Sequence, residues 1–184
     1  MTMGDKVRRL TAETVAITVE LQQMLYDLGH VIDARCGDGI ADFYCADGAF
    51  VICDIRYQGR AEIEAFYLAE RERIRTSLKD GRRQLLHAFV NPRVLVADDH
   101  RSATILSTNI NFSHEGAPPI EGPIAANLIV DCQLDCRLED DGHWRITEFR
   151  STSGSLPGPS PTTVKSPYCQ TSHHAATGTP LSGE

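Results

Sequence analysis

The sequence predicts an α+β fold, with N-terminal helices packed on a strongly curved, mainly antiparallel sheet around an internal pocket. Two observations carry this. Apolar residues recur at three- and four-residue steps from Ile17 to Ile32, and again within 60–75, which is the period of a helix. After Gly81 the period drops to two and stays there to residue 153, which is the period of a strand. Helices segregated to one face of an antiparallel sheet are the α+β solution. Long twisted strands curl, and helices laid across the concave side leave a cavity.

The 184 residues suffice for one domain with a real core. The expected organisation is a lead at 1–10, a domain over 11–153, and a disordered tail at 154–184. That tail is rich in Pro, Ser, Thr and Gly and poor in large apolar residues. Net charge is −7 with no basic stripe, which argues against nucleic acid as a partner. The basic residues Arg71, Arg73, Arg75, Lys79, Arg82 and Arg83 alternate with Glu70, Glu72 and Asp80, and read as a solvated helix end. No segment approaches the roughly 20 apolar residues of a membrane span. The first residues carry no signal-peptide run, so the expected location is the cytoplasm. Six cysteines then read as reduced thiols, without the His/Cys spacing of a zinc site. His173-His174 in the tail is too isolated to hold a metal.

In chain order, Thr11 or Thr14 caps the first helix. Thr11 has threonine rather than Glu or Gln three positions on, so no capping box is expected. That helix runs to about residue 33. Its apolar stripe comprises Ile17, Leu21, Met24, Leu25, Leu28, Val31 and Ile32. Tyr26, Gly29, His30 and Asp33 align on another face. The glycines of 36–39 make a tight turn, and Ile40, Phe43 and Tyr44 a second short helix. Ala46-Asp47-Gly48 reads as a turn before a strand at 49–57, and 60–75 as a third helix. Four strands follow. The first, at 85–97, contains Pro92 and is therefore bulged or at an edge. In the second, at 101–112, Leu106, Thr108, Ile110 and Phe112 share one face. Ser107, Asn109 and Asn111 share the other, and read as polar sheet surface. The third, at 125–138, alternates most regularly, with Cys132 and Cys136 directed to the core. The last closes the sheet at 144–152, and Trp144 and Phe112 read as core or pocket wall.

Four stretches together resemble the SnoaL-like branch of the nuclear-transport-factor-2-like superfamily, over about residues 12–153. They are the helix ending at Asp33 with its GDG turn and Ile40–Phe43; Tyr57-Gln58-Gly59-Arg60-Ala61-Glu62-Ile63; Leu86-His87 with Asn91; and Asp141-Gly142-His143-Trp144-Arg145-Ile146. The resemblance implies a cone-shaped domain and a homodimer joined through the sheet. It implies a cofactor-independent lyase, isomerase or cyclase acting on a small, largely apolar steroid, polyketide or aromatic. It equally implies two alternatives, a non-catalytic ligand-binding or dimerisation module and the small subunit of a ring-hydroxylating dioxygenase. Lyases of this type pair an Asp at the end of the first helix with a His on the strand after the third, here Asp33 and His87. A helical Tyr is often the third polar group. The family's usual position is Leu28 here, which makes Tyr26 the nearest candidate. A carboxylate on one ring nitrogen fixes the tautomer and frees the other nitrogen as a base. Histidine ordinarily titrates near pH 6.5, which suits proton transfer at neutral pH. Tyr26 or His30 would then polarise an oxygen or protonate a leaving group. Neither a metal nor a nucleotide is called for, and no Gly-rich phosphate loop is present.

Overall fold

In the structure, a computed structural model that describes residues 10–53 and 55–153, helix α1 spans Ala12–Arg35. It opens with a capping box that the sequence reading did not expect. Thr14 N–H donates to Thr11 Oγ1 (3.3 Å) and Thr11 N–H donates to Thr14 Oγ1 (2.9 Å). A threonine hydroxyl at the third helical position thus does what Glu or Gln usually does. The apolar stripe is as expected: Leu21, Leu25, Leu28, Val31 and Ile32 are buried in the core, with Ile17 and Met24 packed against it. The helix ends at Cys36 in the left-handed region (φ 49°), followed by Gly37 (φ 76°).

A short 3₁₀ turn at Ile40–Phe43 leads into strand β1, Tyr44–Ile52. Ala46-Asp47-Gly48 lies inside β1 as an irregularity, since the pairing with the last strand shifts between Tyr44 and Ala49. Gly48 is needed there because a Cβ would meet Ile146 O at 2.8 Å. The single strand expected at 49–57 is two. β1 folds back at Cys53 (φ 50°) into β2, Ile55–Gln58, with Ile52 opposite Ile55. A tight hairpin preserves the alternation on both sides, so periodicity alone could not reveal it. Helix α2 is Gly59–Ser77, followed by a 3₁₀ turn at Lys79–Gly81.

The remaining strands are β3 (Arg83–Val96), β4 (Ser102–Glu115), β5 (Leu128–Leu138) and β6 (Trp144–Ser153). They make one curled sheet in the order β2-β1-β6-β5-β4-β3. All neighbours are antiparallel except β1 and β6, which are parallel. β3 is both bulged and an edge strand. Its register shifts between Val90 and Arg93, around Pro92, and it has one neighbour. The core lies between the helices and the inner face, where Val130, Cys132, Leu134 and Cys136 of β5 meet the α1 stripe.

Two expectations are corrected. On β4 it is the face of Ser107, Asn109 and Asn111 that is buried, while Thr108 and Ile110 are only partly covered. Alternation separates the two faces but does not say which one turns inward. The cysteines are not all reduced thiols: Cys36, Cys45, Cys132 and Cys136 are free, but Cys53 is disulfide-bonded. Burial pushes the Cys45 and Cys132 thiols up to about 12 and Cys136 higher still. Native protein treated with iodoacetamide at pH 8 should therefore be alkylated slowly at Cys132 and Cys136 by mass spectrometry, and quickly only after unfolding. Equal labelling before and after unfolding would contradict that burial. The expected lead, apart from Leu10, and the tail with His173-His174 lie outside the described residues. Among those residues no helix is long and apolar enough to cross a membrane.

Candidate functional site

The site is assembled where α1 crosses the inner side of β3. Gly29 makes the close approach possible, since even a Cβ there would lie 3.2 Å from the Phe89 ring. One turn further along, Asp33 reaches His87. Its Oδ1 accepts from His87 Nδ1 at 2.6 Å and its Oδ2 from the His87 backbone N–H at 2.8 Å. Both side chains are mostly covered, at 16% and 15% exposure. Asp33 is therefore not a solvated helix end. Both of its oxygens serve one residue 54 positions away.

The second ring nitrogen is also engaged. Asn111, directly across from His87 in the β3–β4 register, places its Nδ2 3.0 Å from His87 Nε2. A carboxylate only accepts, so in the neutral ring Nδ1 carries the proton and Nε2 presents its lone pair to the Asn111 amide. If Nε2 gains a proton, a half-turn of the carboxamide presents Oδ1 instead. Asn111 can thus partner either protonation state of the ring.

His87 and Asn111 open onto a small cavity of about 60 Å³, lined mostly by apolar side chains. One wall is aromatic: the Phe50 ring lies 5.5 Å from Phe66 and 5.4 Å from Phe149. Asn109 lines the same space from β4.

A further polar group stands in the wall. Glu70, 8% exposed, accepts from Arg73 Nε and Nη2 (2.7 Å each) and from Arg83 Nη1 (2.5 Å). The Arg83 side chain is 7% exposed. Arg75 and Glu72 are exposed, as expected of a solvated helix end, and pair with each other, but Glu70 and Arg83 line the cavity instead. The signal was available in the spacing. Ile63, Tyr67, Glu70 and Ile74 share the buried side of α2, so Glu70 falls on its apolar face. Among the described residues no group of three or more His, Cys, Asp or Glu is placed to hold a metal ion.

The structure does not bring Tyr26 or His30 to the cavity. Tyr26 is 50% exposed and His30 is exposed, and neither is in the wall. Tyr26 faces roughly as Asp33 does but lies two turns, about 10 Å, back along the axis. His30 is turned outward from the buried Gly29 beside it. Asn109, Asn111, Glu70 and Arg83 are the polar wall residues that the sequence reading placed on the surface.

The comparisons agree with this architecture. No curated protein sequence matches the chain significantly. Among solved structures it is similar to ActVI-ORFA from Streptomyces coelicolor, with TM-score 0.64 and 16% identity over 77% of this chain and 98% of that one. It is similar to an NTF2-like protein with a cystatin-like fold from Novosphingobium aromaticivorans, with TM-score 0.59 and 16% identity over 84% and 94%. It is also similar to a protein from the same organism provisionally named a scytalone dehydratase, with TM-score 0.59 and 16% identity over 84% and 98%. At these identities the likeness is one of fold. A family model described as the SnoaL-like domain matches residues 13–150, most of the chain, and the protein belongs to that family.

Proposed function

We propose that the protein is a cofactor-independent lyase, isomerase or cyclase that moves a proton at carbon next to a carbonyl, on a small, largely apolar molecule of steroid, polyketide or aromatic type. The observation that carries this reading is the Asp33–His87 pair at 2.6 Å in the wall of an apolar cavity. A surface histidine would have water for a partner. This one has its tautomer set by a carboxylate held by two hydrogen bonds, leaving Nε2 for a guest. The structural neighbour provisionally named a dehydratase adds support.

In this reading Nε2 exchanges its Asn111 contact for the substrate and removes the proton from the carbon beside the carbonyl. The electron pair moves onto the carbonyl oxygen as an enolate. The imidazolium is held by the Asp33 carboxylate on Nδ1, and Nε2–H is the acid for the second half. Returned to another carbon, the proton completes an isomerisation. Delivered to a departing β-hydroxyl, it completes loss of water. Either course balances without an electron carrier. The test needs no knowledge of the natural substrate. 2-Tetralone in D₂O is followed by NMR for exchange at its activated methylene. Wild type is expected to accelerate exchange and His87→Gln to lose the acceleration. Exchange that is equal in both would refute the reading.

A second copy of the chain is the proposed partner. The β3–β4–β5 register sets Leu86 opposite Phe112, and Ala88 and Ile129 on either side of Ile110, all on the outer face. Leu86 and Ile129 are 54% and 37% exposed. An apolar patch across three strands is unusual on a surface that faces only water. Light scattering should give the mass of a dimer, and Ile129→Lys should give that of a monomer. An unchanged mass in the variant would place any interface elsewhere.

A further inference from the structure

We propose that Asn109 recognises a hydroxyl group of the substrate, which narrows the cavity's ligands to small, largely apolar molecules carrying an O–H. This rests on the reading of the cavity as the substrate site and adds the identity of one substrate group. Asn109 is 3% exposed and lines the cavity. Its carboxamide oxygen is buried and, among the described residues, accepts no hydrogen bond. Its cross-strand partners, Phe89 on β3 and Val130 on β5, have no side-chain donors to offer. Asn111, two residues along on the same face, is the contrasting case, since its carboxamide is engaged with His87 Nε2.

A buried carboxamide oxygen without a donor has given up water and received nothing in return, an arrangement that folded proteins generally avoid. The cavity is the side from which a donor can still arrive. The group must donate a hydrogen bond and be carried on an apolar body, because the cross-strand neighbours of Asn109 are Phe89 and Val130. A hydroxyl meets both conditions. An ether or ketone oxygen has no hydrogen to give, and a carboxylate would face the amide oxygen with like charge. Spacing ties the hydroxyl to the chemistry. Two residues of β4 rise about 7 Å, so a guest along this strand with its O–H on Asn109 presents a carbon several bonds away, on the far side of a ring, to His87 Nε2.

The experiment titrates 2-naphthol and 2-methoxynaphthalene by fluorescence, two rings of similar shape of which only the first has a hydrogen to donate. Wild type is expected to bind 2-naphthol about tenfold more tightly, the value of one satisfied hydrogen bond. Asn109→Leu should bind both alike. The free variant should melt at or above the wild-type temperature, because the orphaned oxygen has gone; a residue that merely supported the fold would lower it. Asn109→Ala, with less bulk, provides the same comparison if leucine blocks the slot. Retention of the 2-naphthol preference in either variant overturns the proposal, as does equal or absent binding of the two probes by wild type. Neither probe reacts, so failure here is distinct from failure of the tetralone exchange, which tests the acid–base reading itself.

Discussion

Replacing His87 by glutamine is expected to slow proton exchange by about 10²–10⁴-fold, the usual contribution of a well-placed acid or base. Asp33→Asn should cost nearly as much, by a different route. Both groups that Asp33 holds are donors, the His87 backbone N–H and Nδ1–H. A carboxylate accepts both, whereas a carboxamide has one accepting end and one donating end. Asparagine must therefore set its NH₂ against a donor or drive the imidazole into the other tautomer, with the proton on Nε2 and no lone pair for the substrate. The first outcome lowers stability by about 1–3 kcal/mol, and the second leaves stability nearly intact while removing the base. Thermal melts beside exchange rates separate the two. Wild-type rates in both variants would mean that the pair is structural.

The second large effect is on stability. Gly37→Ala should destabilise the protein by about 2–5 kcal/mol, adding a left-handed backbone cost of about 1–2 kcal/mol to an overpacking cost of about 1–3 kcal/mol. Gly37 has φ 76°, and a Cβ there would overlap Tyr67 Cδ1 and lie 2.5 Å from Cγ. The ring has little room to give, since its centroid sits 5.1 Å from that of Phe66 and 6.1 Å from that of Phe50. Gly142→Ala is the control. It has a similar φ of 80° but nothing within 4 Å of the added carbon, so it should cost about 1–2 kcal/mol. Melting temperatures of the two variants decide the matter. If Gly37→Ala falls no further than Gly142→Ala, the turn does not seat on Tyr67 as described. Because Tyr67 lines the cavity, weaker ligand binding is expected to accompany the loss.

The parts of this fold that were legible in the sequence are those in which one local signal has one meaning. The α1 stripe, the β5 alternation and the Pro92 bulge each follow from spacing or from a missing N–H. The meeting of Asp33 with His87 is different. No spacing joins residues 54 positions apart, and it was the order of short motifs resembling the family that placed them together. Two things were not legible, and a third was overlooked although the spacing on α2 carried it. The β1–β2 hairpin keeps its alternation through Cys53, so the break leaves no trace in the period. The polar face of β4 turns inward because a cavity lies there, and polarity alone suggests the reverse. Glu70 and Arg83 looked like members of a charged run because their neighbours truly are exposed. Tyr26 and His30 show the converse error, in which a shared helix face is read as a shared destination.

The parallel joint between β1 and β6 bears on how the molecule assembles. β3 to β6 form a meander of successive hairpins, joined by the five-residue loops 97–101 and 139–143 and the longer loop 116–127, and contacts between strands this near in sequence lose little chain entropy on closing. β1 must then find β6 across most of the domain, pairing Phe50 with Phe149, and α1 must settle on β3. His87 belongs to the part that forms by local closure, and Asp33 to the part that docks over long range. The pair is therefore expected to form after the meander has closed. Detachment of the N-terminal third alone would disarm the site while the meander stood. Hydrogen exchange should show that division as two groups of amides, with those of α1 and β1 opening at lower free energy than those of β4 and β5.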